Sequence, residues 1–321
     1  MSISTTTKNT ILITGGAGFI GANFVYKFLE LGYGVSVFER KEANMWRIEK
    51  ILTKINLYSP DLTDYQKTEK IISEIKPDIV IHFAAYGAYQ RFQQDINLTI
   101  DTNLKSTINL INACNKIGVE CFINTGTNSE YGIKNKPMKE ADILEPDNLY
   151  AITKSGSTFY CQMMAKKFSF PVVTIRPFAV YGYFEDKERL IPTIIKSCLT
   201  NSKLNLAKPS SVRDFIFIDD LINGYLLAIK NIKNIKGEIF NLGSGKQIKI
   251  KEIVKIIKKI TMSEINPAYD KINIAQTEPK TWVSDISKAK KILRWQPKYD
   301  IEKGLKKNIE WFKNNISLYE N

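Results

Sequence analysis

A tyrosine, a lysine and a threonine could together perform acid–base chemistry in this chain. Tyr150 and Lys154 lie four residues apart in a stretch that predicts a helix, so their side chains share one face. An ammonium beside a phenol favours the phenolate and lowers the pKa of the phenol from about 10, which gives a base for neutral pH. Such a pair also occurs by chance on many helices. Thr127 strengthens the interpretation, because it follows a predicted strand, where active sites of parallel sheets lie.

A glycine-rich stretch predicts a site for a dinucleotide. Residues 11–21 read ILITGGAGFIG, which is typical of a strand, a tight turn and the start of a helix. Without a Cβ, glycine lets backbone N–H groups approach a pyrophosphate, and the N-terminus of the following helix favours the same anion. Gly15, Gly18 and Gly21 are therefore candidate cofactor contacts. A flavodoxin-like turn that binds no dinucleotide is the alternative.

The residues after the second and third predicted strands bear on the choice of cofactor. A carboxylate at Glu39 would accept the ribose hydroxyls and repel a 2′-phosphate, which favours NAD. Arg40 and Lys41 follow directly and could bind that phosphate, so the cofactor is NAD or NADP, with NAD favoured. Asp61 and Leu62 are placed to meet the adenine, although a plain turn role suits Asp61 equally well.

Alternating apolar patterns predict the elements that must position these residues. Strands separated by helices imply right-handed crossovers and a parallel sheet, so we expect a doubly wound α/β (Rossmann) fold. We expect an NAD(P)-binding domain at 1–175 and a smaller C-terminal α/β substrate domain at 176–321, with strands near 214–242 returning to the first. The predicted strands are 11–14, 35–38, 54–58, 78–83, 120–125, 171–175, 214–218 and 237–242.

Composition argues against several classes of function. The net charge is +13, but the lysines are spread along polar helix faces and no nucleic-acid motif is present, so we expect no nucleic-acid partner. No apolar run approaches the roughly 20 residues that span a bilayer, and the first residues lack an apolar signal segment, so we expect a cytoplasmic protein without membrane contact. The 4 cysteines have no paired spacing and are expected to be reduced thiols.

The single histidine gives no metal site. His82 lies in an apolar predicted strand, which is typical of a core histidine with satisfied ring nitrogens. Without a second histidine or a cysteine cluster, a zinc site lacks its ligands, and we expect no bound metal.

Taken together, the motifs resemble those of the extended short-chain dehydrogenase/reductase family of nucleotide-sugar epimerases, dehydratases and reductases. The likeness covers nearly the whole chain and is specific as a set, though no single motif is. The matching residues are Gly15, Gly18 and Gly21, Asp61-Leu62, His82-Phe83-Ala84-Ala85, Asn103, Thr127, Tyr150 with Lys154, Arg176-Pro177 before Val180-Tyr181-Gly182, Arg213-Asp214-Phe215, Asp219-Asp220-Leu221, Asn241-Leu242-Gly243-Ser244-Gly245 and Asp285 to Ala289.

The resemblance implies a mechanism and a set of contacts. Tyr150 would exchange a proton with a sugar hydroxyl or ketone, usually at C4, and a nicotinamide would exchange a hydride with the same carbon. Lys154 would hold the nicotinamide ribose, and Thr127 would bind the reacting oxygen. The implied cofactor contacts are Gly15, Gly18, Phe19, Ile20, Gly21, Glu39, Arg40, Asp61, Leu62, Phe83, Ala84, Ala85, Asn103, Tyr150, Lys154 and Pro177. The implied contacts to a nucleotide-diphosphate sugar are Tyr86, Arg91, Thr127, Asn128, Arg189 and Arg213.

Departures from the family pattern reduce the number of reactions that this chain is expected to catalyse. Asn128 and Ser129 stand where the 4,6-dehydratases carry Asp-Glu, so elimination of water lacks its acid and base. Glu130 comes one residue later, and strand alternation predicts that it points elsewhere. Ala179 replaces an asparagine of the family, which puts one substrate contact in question. Residues 85–91, together with Arg213-Asp214-Phe215 and the loop 181–189, resemble the 4-ketoreductases that make CDP-abequose and CDP-paratose.

We therefore expect hydride transfer at C4 of a nucleotide-linked hexose, with reduction of a 4-keto-6-deoxy sugar as the main reading and 4-epimerisation as the alternative. A 4,6-dehydratase or a non-catalytic NAD(P)-binding regulator fits less well. The predicted helices 96–117 and 150–168 carry apolar residues on more than one face. Such helices build a four-helix dimer interface in the family, so the resemblance also implies a homodimer.

Overall fold

The computed structural model describes residues 9–88, 95–272 and 279–319. Within these ranges the strands are β1 (Thr10–Thr14), β2 (Gly34–Phe38), β3 (Asn56–Tyr58), β4 (Ile79–His82), β5 (Cys121–Thr125), β6 (Val172–Pro177), β7 (Ala179–Tyr181), β8 (Val212–Arg213), β9 (Phe215–Phe217), β10 (Ile239–Leu242) and β11 (Ile248–Lys249). The α-helices are α1 (Phe19–Glu30), α2 (Tyr65–Ile75), α3 (Ile96–Ile100), α4 (Ser106–Ile117), α5 (Leu149–Phe168), α6 (Leu190–Thr200), α7 (Ile218–Asn231), α8 (Ile250–Thr261) and α9 (Ile301–Asn314).

Seven of the described strands form one sheet, in the order β10-β6-β5-β4-β1-β2-β3. The register is parallel; Ile11 of β1, for example, lies opposite Val35 of β2 on one side and Ile79 of β4 on the other. The strand order reverses between β1 and β4, which is the place where this class of sheet binds dinucleotides. The expected doubly wound α/β fold is confirmed.

The apolar runs of the strands are buried because helices cover the sheet. Leu12, Val80, Phe122 and Val172 share a core cluster with residues of α2, α4 and α5. Strands buried on both faces read as continuous apolar runs, which explains why these segments lack the alternation of a half-exposed sheet. Each such side chain contributes about 1.5–3 kcal/mol when it is fully buried.

The described part of the chain divides into two compact units. The first comprises Met1–Glu130, Pro146–Ile175 and Ala228–Ile239, and the second comprises Tyr131–Glu145, Arg176–Leu227 and Phe240–Asn321, less the residues outside the described ranges. Of the later strands that we expected to return to the first domain, β10 joins the large sheet, whereas β9 pairs with β7. β8 pairs antiparallel with β11.

Residues 131–145 group with the second unit, although they precede 175 in the sequence. The reason is a hydrogen-bonded link, in which Tyr131 Oη donates to Asn241 Oδ1 (2.8 Å) and Asn241 Nδ2 donates to the Met138 carbonyl (2.9 Å).

Within the described residues, no helix is both long and apolar enough to cross a membrane.

Candidate active site

Tyr150 and Lys154 lie near the start of α5, in the first unit. Asn148 caps the helix by accepting a hydrogen bond from the Ala151 N–H (2.9 Å), which fixes where the helix begins. Tyr150 is half-buried, and Lys154 is 1% exposed. Burial lowers the pKa of Lys154 to about 8, and the Glu130 carboxylate acts in the opposite direction. Burial thus moves the pKa of this ammonium from its usual value towards neutral pH.

Thr127 lies just beyond β5, at the entry to a 3₁₀ turn over Asn128–Tyr131. Its side chain is buried, accepts from the Ser129 N–H (3.2 Å) and lies 3.4 Å from Asn128 Oδ1. The Thr127 N–H donates to Glu130 Oε1 (2.8 Å). The expectation that strand alternation turns Glu130 away does not hold, because these residues coil into a turn that folds the carboxylate back. The sequence motif gave no local signal for this contact.

The glycine loop is built so that side chains are excluded at two positions. A Cβ on Gly15, whose φ is +70°, would lie 2.8 Å from the Ala84 nitrogen. A Cβ on Gly21 would lie 2.1 Å from the Gly15 carbonyl oxygen. Helix α1 starts at Phe19 without a side-chain cap, which leaves N–H groups of its first turn for an anion. This cradle fits the pyrophosphate of a dinucleotide.

Two side chains hold the peptide of Ala17 in the glycine loop. Glu39, at the end of β2, accepts from the Ala17 N–H through Oε2 (3.0 Å) and from the Arg40 N–H through Oε1 (3.1 Å). Arg47 is buried and donates from Nη1 to the Ala17 carbonyl (3.3 Å), with its guanidinium over the Trp46 ring. Arg47 was missed from the sequence because it lies in an irregular segment with no motif around it.

Asp61 and Leu62, the predicted adenine contacts, lie in a turn after β3. Asp61 is exposed, and its Oδ1 accepts from both the N–H (2.9 Å) and the hydroxyl (2.7 Å) of Thr63. The Leu62 carbonyl accepts from Asn109 Nδ2 (2.9 Å). The turn role that we left open for Asp61 is therefore present, and its contact to adenine stays a prediction.

His82 is buried, as expected, with a partner for each ring nitrogen. Nδ1 lies 2.7 Å from Thr14 Oγ1, and Nε2 lies 3.0 Å from Thr107 Oγ1. The Thr107 hydroxyl donates its hydrogen bond to the Asn103 carbonyl (2.7 Å), so it can only accept from the histidine ring. We therefore assign the ring proton of His82 to Nε2. Burial lowers the pKa of His82 to about 3, with a smaller contribution from the Lys154 charge. The ring is neutral and serves to connect β1, β4 and α4.

Asn103 lies in a π-helical turn, Asp101–Lys105, which separates α3 from α4. Its amide brackets the backbone of Tyr86: Oδ1 accepts from the Tyr86 N–H (2.8 Å), and Nδ2 donates to the Tyr86 carbonyl (2.9 Å). Nδ2 also donates to Thr153 Oγ1 on α5 (3.1 Å). The amide of Asn103 thus fixes the segment after β4, where Phe83, Ala84 and Ala85 lie. Its expected contact to the cofactor stays a prediction.

Three other predicted residues belong to the second unit. Pro177 is buried at the end of β6. Arg189 Nε lies 3.3 Å from Glu185 Oε1, and burial raises the pKa of Glu185 to about 8. Arg213 Nη1 donates to the Val212 carbonyl (2.7 Å), and its guanidinium lies 5.9 Å from the centre of the Trp282 ring.

Asp214, next to Arg213, ties distant parts of the second unit together. Its buried carboxylate accepts from the N–H and the hydroxyl of Ser244 (both 2.6 Å) and of Ser284 (2.9 and 2.5 Å), and from the Gly245 N–H (3.2 Å). The matched motif residue is thus a structural link. Arg91, a predicted substrate contact, lies outside the described residues.

Comparison with known proteins agrees with this architecture. The family model for the NAD dependent epimerase/dehydratase family matches residues 11–243. The chain is 30% identical to UDP-glucuronate 4-epimerase of Thermodesulfobacterium geofontis, covering 96% of this chain and 97% of that protein. It is 29% identical to human dTDP-D-glucose 4,6-dehydratase, covering 97% and 92% of the two chains.

A solved structure resembles the whole chain. UDP-glucose 4-epimerase of Thermotoga maritima, solved with UDP-glucose, superposes with a TM-score of 0.87 at 28% identity, covering 96% of this chain and 99% of the other. These named relatives are epimerases and a dehydratase, so the comparisons favour the epimerase alternative and give no support to the reduction that we expected. The chain therefore belongs to the NAD dependent epimerase/dehydratase family, the extended short-chain dehydrogenase/reductase enzymes that its motifs resemble.

Proposed function

We propose that this protein is an NAD-dependent 4-epimerase and that its substrate is a UDP-linked sugar. The observation that carries the proposal is the buried ammonium of Lys154 one helical turn from Tyr150, in the same unit as Thr127 and the glycine loop. The likeness to a UDP-glucuronate 4-epimerase and to a UDP-glucose 4-epimerase supports the reaction and the nucleotide.

The proposed mechanism needs one proton acceptor and one hydrogen-bond donor from the chain. Tyr150 removes the proton of the C4 hydroxyl and later returns it to the same oxygen. The Lys154 ammonium stabilises the phenolate form of Tyr150 between these two events. Thr127 donates a hydrogen bond from its hydroxyl group to the sugar oxygen. Held at the glycine loop of Gly15 and Gly21, NAD would supply the reversible hydride transfer at C4 that inverts this carbon.

NAD is the proposed cofactor because a carboxylate, Glu39, directly follows β2. Gly15 and Gly21 leave room for the pyrophosphate. The carboxylate of Glu39, which accepts from the Ala17 N–H of the loop, would also accept the ribose hydroxyls. A 2′-phosphate there would meet like charge. Arg40, which follows directly and is exposed, is the group that would hold such a phosphate in the NADP alternative.

Dehydration is disfavoured by the residues beside Thr127. Asn128 and Ser129 offer no acid or base for eliminating water. Glu130 is an acid, but its carboxylate accepts from the Thr127 backbone instead. A non-catalytic regulator would not need Thr127, Tyr150 and Lys154 together.

Product analysis with catalytic NAD tests the proposal. We expect UDP-glucose or UDP-glucuronate to be converted into its C4 epimer, detected by proton NMR, with no net change in the absorbance of reduced nicotinamide. Stoichiometric consumption of reduced nicotinamide with a 4-keto-6-deoxy sugar would instead establish the reductase. Loss of water from the sugar would establish the dehydratase.

The exposed apolar side chains on α3 and α5 support the proposal of a homodimer. Ile96 is 62% exposed, Ile152 52% and Phe159 56%, and the two helices pack against each other within one unit. We expect sedimentation at micromolar concentration to give twice the monomer mass of 36.7 kDa, and Phe159→Glu to yield monomers. Met262→Glu, at an 87% exposed site in the second unit, is the matched control and should stay dimeric. A monomeric wild-type chain would refute the dimer.

A further inference from the structure

Glu130 is a buried acid that the proposed mechanism does not use. It is 0% exposed, and its Oε1 accepts from the Thr127 N–H at 2.8 Å. A carboxylate is rarely taken fully out of water unless charge or hydrogen bonds compensate it. The site of compensation therefore indicates what the residue is for.

The surroundings of Lys154 show where the charge of Glu130 acts. The carboxylate raises the pKa of Lys154, against the larger effect of burial, and the resulting value is about 8. Two other titratable groups act on the same ammonium or are acted on by it. His82, from β4, is neutral because burial lowers its pKa to about 3, and Cys161, from α5 itself, is a neutral thiol because burial raises its pKa to about 12. Of these groups, Glu130 brings the negative charge.

We propose that Glu130 is a positioning residue of this site, whose carboxylate fixes the backbone of Thr127 and supplies the countercharge that keeps Lys154 protonated. One side chain can serve both tasks because the 3₁₀ turn at Asn128–Tyr131 folds it back onto the Thr127 backbone at the end of β5, where its charge also acts on Lys154. The consequence for the reaction rests on the proposed function, in which the ammonium of Lys154 stabilises the phenolate of Tyr150.

Two substitutions separate the two tasks. Glu130→Gln keeps an oxygen that can accept from the Thr127 N–H but removes the charge. Glu130→Asp keeps the charge but is one methylene shorter, so it no longer reaches that N–H. A residue that merely filled space would lower the rate in both variants without moving any pH dependence.

The first measurement needs no sugar. The pH titration of the Lys154 ε-methylene resonance, assigned by its loss in Lys154→Met, should have a midpoint of about 8 in the wild type. Removing a nearby negative charge makes the ammonium lose its proton at lower pH, so the midpoint should fall by about one to three pH units in Glu130→Gln. Glu130→Asp should retain a midpoint above that of Glu130→Gln. An unchanged midpoint in Glu130→Gln would overturn the proposal.

The second measurement is the pH profile of epimerase kcat. The alkaline limb should move to lower pH in Glu130→Gln, whereas Glu130→Asp should lose kcat at all pH values with the limb in place. If Glu130→Gln does not fold, Glu130→Asp decides the role of Glu130. Because this variant keeps the charge, an alkaline limb of its kcat profile that moves as far as a complete loss of charge predicts would overturn the proposal. A wild type without epimerase activity would remove the proposed function, and the lysine titration would still decide the role of Glu130.

Discussion

Tyr150→Phe is expected to lower the kcat for C4 epimerisation by about 10²–10⁴-fold, the usual contribution of a positioned acid–base group. The substitution removes the only atom of the side chain that can hold the transferred proton and leaves the ring in place. Binding of NAD and of the UDP-sugar should therefore change little. The measurement is steady-state turnover of the sugar nucleotide, with cofactor affinity determined separately by calorimetry.

Tyr160→Phe is the matched control on the same helix. Tyr160 Oη donates to Asn112 Oδ1 (2.6 Å), so this variant also loses a phenol hydroxyl of α5 but leaves Tyr150, Lys154 and Thr127 unchanged. It should keep wild-type kcat with a stability loss of about 1 kcal/mol. A Tyr150→Phe enzyme as fast as Tyr160→Phe would remove Tyr150 from the mechanism.

Gly21→Ala should weaken NAD binding roughly ten- to hundredfold. The added Cβ would lie 2.1 Å from the Gly15 carbonyl oxygen, so the glycine loop must move. Forcing a methyl group into a filled space costs about 1–3 kcal/mol, and each 1.4 kcal/mol is about tenfold in affinity. Alanine is the better helix former by about 1 kcal/mol, so a loss of NAD affinity in Gly21→Ala would not come from a weaker helix propensity of α1.

Calorimetric titration with NAD measures this effect, and thermal unfolding without NAD reports whether the fold is kept. Gly34→Ala serves as the control, because its Cβ would meet only Thr10 Cγ2 at an ordinary 3.6 Å. NAD affinity in Gly21→Ala equal to that of Gly34→Ala would show that the loop does not cradle the cofactor.

The sheet and the glycine loop were predictable because their signals are local. Residues 11–21 carry the strand, the turn and the helix start in a single stretch, and the i, i+4 spacing places Tyr150 and Lys154 on one helix face whatever surrounds them. Thr127 could be proposed for the same reason, since it follows an apolar strand directly. These predictions required no knowledge of which distant segments meet.

The residues that were missed depend on contacts between distant segments or on an unexpected turn. Glu130 was assigned the wrong direction because a 3₁₀ turn replaces the strand there. Arg47 binds the carbonyl of Ala17, which lies 30 residues earlier in the sequence. Asn103 binds Tyr86 and Thr153 from a π-helical turn that the pattern of apolar residues did not predict. We expected reduction as the main reaction and 4-epimerisation as the alternative, and the comparisons favour the epimerase. The short stretches 85–91 and 128–130 carry less information about the reaction than similarity over the whole chain.

The carboxylate of Asp214 has a consequence for how the protein is made. Its partners Ser244 and Ser284 come 30 and 70 residues later in the chain, and both lie beyond residues 11–243, the segment that the family model matches. While the nascent chain emerges from the ribosome, this charge has no complete set of donors until Ser284 has left the exit tunnel. The second unit therefore closes late in synthesis, and a chain released before that point carries an acid that must stay in water.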